Sequence, residues 1–530
     1  MKKYSILFII FLFALLLRLY GIDRVPPGLS NDEISIAYNA YSISKTGMDE
    51  YGKPFPIYFK SHNDYKAPLY IYLATVPIRL IGNNELAVRL PSIILGSLSV
   101  IVLGLLVFEL TNNRRLTLFS ALFLAIAPWH IYTSRISYES NIALFFVLLG
   151  TFLYFASFKK SKYLMVLSSI SFGLSIYAYH TELVFVPMFM FVLLLIKRKY
   201  LKERVAIVVI SALTFILLVS PIYFQALSLS GETTRASTEF ITNDVVLRTK
   251  LEDVNNPVMR IAVVIRFWQD RYLNYFNPVF IFMSGLPLLN QFSAIKNGLL
   301  YVWMLPLLLL GMFHLKHLNK DVRYLIIAWL LLGALIPSLT LGDINIIRNL
   351  VSIVPIIILC ALGVDYLSSK LKRKHVVDVT IVSLGLLSLF IFSHYYFVHF
   401  PKQLSENWSY GFKQIAEYVD ENESRYDKIV IDPNYGTVRY NLVGVPHLFL
   451  LYFNEYNPTM YLSEVSDVNG ILKYGKYETR KVDWPKEDIE LRTLYIVGVH
   501  STPTEGQNIK EVGTQKLLNG KVAFRYYSSE

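Results

Sequence analysis

The stretch Leu90–Leu110, with the sequence LPSIILGSLSVIVLGLLVFEL, determines the class of fold. At about 1.5 Å per residue, a helix of this length crosses the roughly 30 Å hydrocarbon core of a bilayer. Its only charged residue is Glu109, close to the end, and Arg114 and Arg115 follow a few residues later. An apolar run with a basic flank on one side is typical of a transmembrane helix.

Similar stretches recur through the first 400 or so residues, so the sequence predicts a polytopic α-helical membrane protein with about eleven transmembrane helices. The eleven predicted spans are Tyr4–Tyr20, Leu90–Leu110, Leu116–Ile131, Ile142–Phe158, Tyr163–Tyr179, Leu183–Ile196, Val205–Leu227, Leu299–His314, Tyr324–Leu341, Leu350–Leu367 and Val376–Val398. The first span resembles a signal peptide, but no small-residue cleavage site follows it, and we predict a retained anchor.

The positions of the basic residues predict the orientation. If the amino terminus is cytoplasmic, every inside segment is basic, as the positive-inside rule requires. These segments are Lys2-Lys3, Arg114-Arg115, Lys159–Lys162, Lys197–Arg204, Lys316–Arg323 and Lys370–Lys374. An odd number of spans then places the carboxyl terminus outside, and we predict a multi-pass protein of the plasma membrane.

The composition excludes an ordinary soluble enzyme. Hydrophobic residues make up 54% of the chain and charged residues only 17%, with a mean hydropathy of +0.42, whereas soluble chains carry about 25% charged residues. The net charge of +12 would suggest nucleic acid in a soluble protein. Because the basic residues lie between apolar spans, we predict no nucleic-acid partner. The single cysteine, Cys360, allows no disulfide framework.

Three longer segments lie outside in this topology: Gly21–Arg89, Ser228–Asn297 and the residues from Phe400 onward. In the first of them, residues 67–82 predict an amphipathic interfacial helix. The last predicts a small extracytoplasmic α/β domain, so we divide the chain into a transmembrane domain, 1–399, and a carboxyl-terminal domain, 400–530. The patterns in the second domain predict a helix at Tyr410–Val419 and strands near Lys428–Asp432, Leu494–Val499 and Val522–Tyr527.

An acidic pair, Asp32-Glu33, follows Pro26-Pro27-Gly28 in the first external segment. One interpretation is a well-capped helix, with Ser30 or Asn31 as the cap and the acids in the first turn. The other is catalytic, because ionisable groups beside the membrane are costly and a carboxylate there can act as a general base.

The motifs around this pair resemble those of GT-C glycosyltransferases, above all protein O-mannosyltransferases and the aminoarabinose transferases of lipid A. The resemblance covers roughly residues 1–370. It rests on Leu17-Arg18-Leu19, Pro26-Pro27-Gly28, Asp32-Glu33, Thr46–Asp49, Gly52, Pro56, Lys66–Tyr70, Val88–Pro91, Ser134-Arg135, Glu139, Gly298–Tyr301, Pro306, Ile347–Asn349 and Pro355.

The resemblance implies a transferase that takes a sugar from a polyprenyl phosphate at the outer face and passes it, with inversion, to an acceptor hydroxyl. Asp32 would be the general base, with Glu33 its catalytic neighbour. Lys66 and Arg348 would hold the donor phosphate, although each could instead anchor a helix end at the interface. Asn349 stands where the family usually has tyrosine, and Ala67 where proline is common.

Further residues at the predicted outer ends complete the candidate site. The resemblance implies that Glu139 and Arg135 take part in acceptor or sugar binding, and Tyr179 and His180 are candidates for sugar contact. The alternatives are an acid at a helix start for Glu139 and aromatic-belt anchoring for Tyr179 and His180. His62 and Asp64 lack a third ligand of suitable spacing, so we predict no metal site and no cofactor, and a divalent metal ion stays an alternative without support in the sequence.

The partners predicted are a polyprenyl-phosphate-linked sugar donor, membrane lipid, and a protein, lipid or polysaccharide acceptor. The sequence leaves the sugar, the acceptor and the prenol open. A multi-span transporter or lipid flippase is the main alternative. Such proteins usually place charges or broken helices near the middle of the membrane and contain paired repeats. Most spans here have apolar centres, which favours the transferase. A non-catalytic scaffold would not require Asp32, Glu33 and Lys66.

Overall fold

The computed structural model describes residues 5–61, 64–228, 240–284, 298–342, 344–371, 373–437 and 442–529. This part of the chain is mostly helical, and most strands lie after residue 427. The helices, numbered α1 to α20 in chain order, are Ser5–Leu19, Asn31–Thr46, Pro68–Ile81, Glu85–Thr111, Arg114–Ile126, Pro128–Thr133, Glu139–Lys159, Leu164–Ala178, Glu182–Leu201, Val205–Ser228, Val245–Glu252, Pro257–Asn274, Met304–His314, Lys320–Ser338, Ile353–Leu371, Lys374–His394, Phe400–Leu404, Phe412–Asn422, Pro446–Phe453 and Pro458–Glu464. The strands, β1 to β11, are Phe59–Ser61, Asp64–Lys66, Lys428–Ile431, Asn434–Tyr435, Leu442–Val443, Ser466–Val468, Ile471–Tyr474, Tyr477–Thr479, Thr493–Gly498, Lys510–Lys516 and Val522–Ser528.

Six helical stretches within the described residues are long and apolar enough to cross a membrane. They are Glu85–Thr111, Glu139–Lys159, Glu182–Ser228, Lys320–Ser338, Leu350–Leu371 and Lys374–Leu404. Shorter apolar helices are Ser5–Leu19, Pro68–Ile81, Leu164–Ala178 and Met304–His317. Every predicted span overlaps a helix, so the predicted class of helical, multi-pass chain holds. The number of eleven spans and the interfacial position of α3 stay predictions.

The chain forms two compact units. The first contains Met1–Tyr20, Ile57–Tyr70 and Pro91–Phe392, and the second contains Gly21–Pro56, Ile71–Leu90 and Ser393–Glu530. The second unit therefore combines residues of the first external segment with the strand-rich carboxyl-terminal residues. The domain boundary between 399 and 400 stays a prediction.

Close helix packing builds the first unit, where α7 lies against α8 and α13 against α15. Two glycines make the second contact possible. A Cβ added at Gly311 would lie 1.8 Å from the carbonyl oxygen of Leu359, and one at Gly363 would lie 2.0 Å from that of Leu307. Because small residues let helix backbones approach closely in membranes, larger side chains at either glycine would force α13 and α15 apart.

Ion pairs join several helices at one end of the first unit, where α4, α7 and α9 end and α5, α14 and α16 begin. The pairs are Arg115 with Asp378, Lys197 with Asp321 at 2.7 Å, and Lys159 with Glu109 at 3.1 Å. We call this the basic end, because it gathers basic segments after residue 110 that the sequence predicts to be cytoplasmic. Their convergence supports the prediction that these segments share one side of the membrane.

A mixed seven-stranded sheet forms the centre of the second unit. Its strand order is β10-β11-β9-β3-β8-β7-β6, with β3 parallel to both β8 and β9 and the other neighbours antiparallel. Val430, Tyr495 and Val497 pack on one face with Trp484. The predicted strands near 428–432, 494–499 and 522–527 and the helix near 410–419 are confirmed as β3, β9, β11 and α18.

Residues of the first external segment pack on the carboxyl-terminal residues within this unit. The side-chain amide of Asn31 donates to the carbonyl oxygen of Val443 at 2.9 Å, and Lys413 forms an ion pair with Glu85 at 2.8 Å. Helix α2 also lies against α19. The helix that carries the acidic pair is therefore held by parts of the chain about 400 residues further on.

Candidate functional site

The acidic pair lies in the first turn of α2, and a capping box fixes this turn. The backbone N–H of Glu33 donates to the hydroxyl of Ser30 at 3.2 Å, and the backbone N–H of Ser30 donates to the carboxylate of Glu33, also at 3.2 Å. Two N–H groups that a helix start leaves without intrahelical partners are satisfied in this way. The expectation of a capped helix is confirmed, with Ser30 as the cap.

Glu33 is engaged on its other side by Arg89. The guanidinium donates to both carboxylate oxygens, from Nε at 3.0 Å and from Nη2 at 3.1 Å, and both side chains are fully buried. Arg89 also donates to the carbonyl oxygens of Ile22 at 2.9 Å and Pro26 at 3.2 Å. A bidentate, buried ion pair allows only a narrow range of geometries. Because Arg89 binds both Glu33 and the loop before α2, this pair fixes α2 to that loop. These contacts favour a positioning role for Glu33.

Asp32 differs from its neighbour in burial. It is partly exposed, whereas Glu33 is fully buried. Successive side chains on an α-helix point about 100° apart, since a turn holds about 3.6 residues, so the two carboxylates face different surroundings. The amino-terminal turn also favours a negative charge. Asp32 is therefore the more accessible acid of the pair.

The turn before α2 packs tightly against the carboxyl-terminal residues of its unit. A Cβ at Gly28 would lie 2.6 Å from the carbonyl oxygen of Trp408, a distance that real Cβ atoms do not show. The hydroxyl of Ser409 also lies 3.5 Å from the side-chain oxygen of Asn31, next to Asp32. The position of Asp32 thus depends on residues 408–410 as well as on Arg89.

Lys66, in the first unit, lies on a short hairpin formed by β1 and β2, opposite Phe59. It is only 4% exposed. The Nε2 of His180 donates to the carbonyl oxygen of Tyr65 at 2.7 Å, and its ring stacks on Tyr58 with centroids 5.5 Å apart. Burial raises the pKa of Tyr58, which keeps the phenol neutral. His180 and Tyr58 therefore hold the hairpin that carries Lys66.

Two fully buried arginines close helix ends in the first unit. Arg135 donates to the carbonyl oxygens of Leu17 at 3.1 Å and Arg18 at 2.8 Å, at the end of α1. Arg18 donates to the carbonyl of Ala125 at 3.3 Å, near the end of α5, and to Nδ1 of His130 at 2.7 Å. Cations are stabilised at the negative ends of helix dipoles. The role predicted for Arg135 in acceptor or sugar binding stays a prediction.

The remaining candidates lie on other segments of the first unit. Tyr179 is buried between α8 and α9, and Glu139 is the partly exposed first residue of α7. Arg348 follows α14 and is partly exposed, and its backbone N–H donates to the side-chain oxygen of Asn345 at 3.3 Å. Their predicted roles are likewise not decided by these positions.

The structure brings His180 to the Lys66 hairpin and Glu33 to Arg89. Sequence reasoning assigned no role to Arg89 or Tyr58. Arg89 carried a usable signal, because it is a basic residue on the predicted outer side of a span, against the bias of the other segments. Tyr58 carried none, since one aromatic residue in a loop is unremarkable.

In the part of the chain that the structure describes, the geometry does not indicate metal ligation. Across the described ranges, no group of three or more His, Cys, Asp or Glu side chains is placed to hold a metal ion. His62 and the side chain of Asp64 lie outside those ranges. The absence of a metal site therefore stays a prediction.

Comparison with known proteins shows a family and a fold to which the chain is similar. A family model described as dolichyl-phosphate-mannose-protein mannosyltransferase matches residues 65–224. The fold is similar to that of ArnT from Cupriavidus metallidurans, solved bound to undecaprenyl phosphate, with a TM-score of 0.56 and 10% identity over 99% of this chain and 98% of that chain. A comparison with curated protein sequences gives no match.

The oligosaccharyltransferase AglB from Archaeoglobus fulgidus, solved with an inhibitory peptide and a dolichol-phosphate, aligns with a TM-score of 0.47 and 11% identity. The match covers 81% of this chain and 62% of AglB. The resemblance to GT-C glycosyltransferases is confirmed by the family match and by the ArnT-like fold. More specifically, residues 65–224, which include Lys66, Arg135, Glu139, Tyr179 and His180, match the mannosyltransferase family.

Proposed function

We propose that the chain is a membrane glycosyltransferase that moves a sugar from a polyprenyl-phosphate donor to an acceptor hydroxyl with inversion. The mannosyltransferase family match supports the glycosyl-transfer chemistry. The ArnT structure with undecaprenyl phosphate supports a lipid-phosphate donor for a chain of this fold. The same comparisons do not favour a transporter or a lipid flippase.

Asp32 acts as the general base in this proposal. The acceptor oxygen attacks the anomeric carbon of the sugar, its proton passes to the Asp32 carboxylate, and the bond from that carbon to the phosphate oxygen breaks on the opposite side. The observation that carries the assignment is the difference between the two acids. Both oxygens of Glu33 are bonded to Arg89 in a buried pair, while Asp32 keeps partial exposure in the first turn of the same helix. Glu33, predicted as catalytic, then positions Asp32.

A single carboxylate is sufficient for this leaving group. Glycosidases need a second carboxyl group to protonate a departing alkoxide, whereas a lipid phosphate leaves as a stable anion and needs only cations to stabilise its charge. Lys66 and Arg348 would supply this positive charge. The burial of Lys66 supports its role, because an ammonium in a low-dielectric environment attracts an anion more strongly than one in water.

The remaining predicted residues would bind the acceptor or the sugar. Glu139 and Arg135 are assigned to the acceptor side, and Tyr179 and His180 to the sugar, with His180 also holding the Lys66 hairpin. Transfer would take place on the extracytoplasmic face of the plasma membrane, away from the basic end, with the carboxyl-terminal residues on the same face. The acceptor would be a hydroxyl of a protein, a lipid or a polysaccharide.

The test measures transfer by the purified chain and its Asp32→Asn variant. Incubation with a panel of radiolabelled polyprenyl-phosphate sugars and membrane extract identifies the donor that is consumed and the acceptor that is labelled. We expect Asp32→Asn to lower kcat by about 100-fold or more, the usual scale for a lost general base, with the elution profile of the folded protein unchanged.

The matched control is Asp23→Asn, which removes an acid of the same segment whose side chain is 65% exposed. It should transfer at the rate of the unaltered chain. Equal kcat for Asp32→Asn and Asp23→Asn would refute Asp32 as the base. Absence of transfer from every donor in the panel by the unaltered chain would refute the proposed function.

A further inference from the structure

A cavity of about 890 Å³ opens at the basic end of the first unit. Its walls come from α1, α5, the end of α15 and the start of α16. Sites for small molecules in proteins usually have volumes of about 300–1,000 Å³. Neither Lys66 nor Arg348, the residues expected to hold the donor phosphate, lines this cavity.

One part of the cavity is apolar. Ile6, Leu118, Leu122 and Val382 lie along it. Ile6 is 43% exposed and Val382 is 38% exposed. Because both belong to helices predicted to span the bilayer, these exposed side chains would face hydrocarbon, and the cavity would be open to the membrane from the side. A hydrocarbon chain fits this wall better than a soluble metabolite does.

The other part of the cavity is cationic. Arg114 and Lys374 both line it and are both exposed, and neither forms an ion pair with a described residue. Arg115 is neutralised by Asp378 in an ion pair, and Asp365 accepts a hydrogen bond from Asn113 at 3.1 Å. Arg114 and Lys374 therefore outnumber Asp365, the one lining carboxylate that forms no ion pair with a described residue, and the rim keeps a net positive charge that favours an anion.

The starts of two helices add to this positive charge. Arg114 is the first residue of α5 and Lys374 is the first residue of α16. Helix amino termini carry a partial positive charge and favour anions. The rim therefore combines two side-chain cations with two helix starts, directly beside an apolar wall.

We propose that this cavity binds an anionic phospholipid of the leaflet at the basic end, with its phosphate between Arg114 and Lys374 and an acyl chain along Leu118 and Leu122. Basic pockets between transmembrane helices bind lipid headgroups by the same combination of forces. The occupant must be both anionic and apolar, because either part of the cavity alone would leave the other unfilled.

The test uses the full chain in nanodiscs of phosphatidylcholine containing a photoactivatable phosphatidylglycerol with its reactive group in the acyl chain. We expect crosslinks in the peptides that contain Leu118–Leu122 or Val382. The double variant Arg114→Gln, Lys374→Gln should lower this labelling at least tenfold. A matched control, Lys199→Gln with Lys202→Gln, removes two exposed cations at the same end outside the cavity and should label normally.

A second variant covers the case in which the double variant does not fold. Leu122→Trp keeps both cations and fills the apolar wall, and it should lose labelling to a similar degree. Equal labelling of the unaltered chain and of both variants would overturn the proposal. Equal labelling by a photoactivatable phosphatidylcholine would also overturn it, and loss of labelling in millimolar inorganic phosphate would assign the rim to a free anion instead of a lipid.

Discussion

The charged side chains at the two ends of the helices in the first unit differ in their burial and in their hydrogen-bond partners. At the basic end, Lys197 and Asp321 pair directly with each other and keep 18% and 36% of their side chains exposed. At the other end, Arg18 and Arg135 are fully buried and donate to the carbonyl oxygens of helix ends. Lys66, on the hairpin held by His180, is buried as well.

Burying a charge costs several kcal/mol per ion even after the surroundings relax. A membrane protein tolerates this cost mainly where the charge has a function or fixes a functional element. Apart from Glu109 at the basic end, the buried charges named above lie at the other end, and they indicate where precise polar geometry is needed. The second unit contains a site of the same kind, the buried Glu33–Arg89 pair beside Asp32. The comparison predicts large effects for buried charges and small effects for the pairs at the basic end.

The largest effect on stability is expected at Glu33. Glu33→Gln keeps the shape of the side chain but leaves the guanidinium of Arg89 buried without its counter-charge, so the free energy of unfolding should fall by about 3–5 kcal/mol. Reversible unfolding in mixed micelles measures this change. Asp32→Asn, at the neighbouring position, should cost less than about 1 kcal/mol. Equal losses of unfolding free energy for Glu33→Gln and Asp32→Asn would mean that the difference in burial does not give the two acids different roles.

Arg135 should show the next largest effect. Arg135→Met removes the donor to the carbonyl oxygens of Leu17 and Arg18, and hydrogen bonds from charged groups contribute about 1.5–3 kcal/mol. We expect the free energy of unfolding to fall by about 2–3 kcal/mol. Arg24→Met is the control, because the Arg24 side chain is 85% exposed and should be nearly neutral. If the free energy of unfolding changes no more for Arg135→Met than for Arg24→Met, the hydrogen bonds from Arg135 to the helix-end carbonyls do not stabilise the fold.

The apolar spans and the acidic pair could be predicted from the sequence because each is a local pattern. Span length and the charge of short loops need no knowledge of tertiary structure, and Ser30 followed by Glu33 is a local capping signal. The pairing of Glu33 with Arg89 could not be predicted, because 56 residues separate them and nothing local shows which buried cation meets which acid. The packing of residues 408–410 against Gly28 joins residues that are even further apart in the sequence.

The individual strands of the carboxyl-terminal residues were also visible as alternating patterns, but their order was not. Strand β3 lies between β8 and β9, which follow it in the chain by roughly 50 and 65 residues. Alternation shows that a strand has two faces but does not identify its neighbours. For the same reason, the sequence did not predict that residues 21–56 join the carboxyl-terminal residues in one unit.

A smaller, pH-dependent effect is expected in the sheet of the second unit. Burial alone would raise the pKa of Glu478, but hydrogen bonds from Lys473 and Arg480 outweigh it and lower the pKa to about 2. The ordinary value is about 4.3. A carboxyl group with a depressed pKa in the folded state stabilises it fully above the ordinary value and loses this contribution as the pH falls towards about 2.

Glu478→Gln should therefore lower the stability of the sheet at pH 6 and flatten its decline between about pH 5 and pH 2. Near-ultraviolet circular dichroism of the chain in detergent follows the transition. Glu505→Gln, at an exposed position, serves as the control. An unchanged acid profile in Glu478→Gln would show that the cluster around Glu478 does not contribute to acid stability.

The smallest effect is expected at the basic end, where Asp321→Asn removes one member of an ion pair. Partly exposed pairs contribute about 0–1 kcal/mol, and Lys197 keeps its position over the ring of Tyr200, 5.1 Å from the centroid. The loss in unfolding free energy should stay below about 1 kcal/mol and should shrink further at about 1 M salt, where screening acts within about 3 Å. A salt-independent loss as large as that of Glu33→Gln would contradict the comparison. Asp321 would then behave as a buried charge, although the structure places it in a partly exposed ion pair at the basic end.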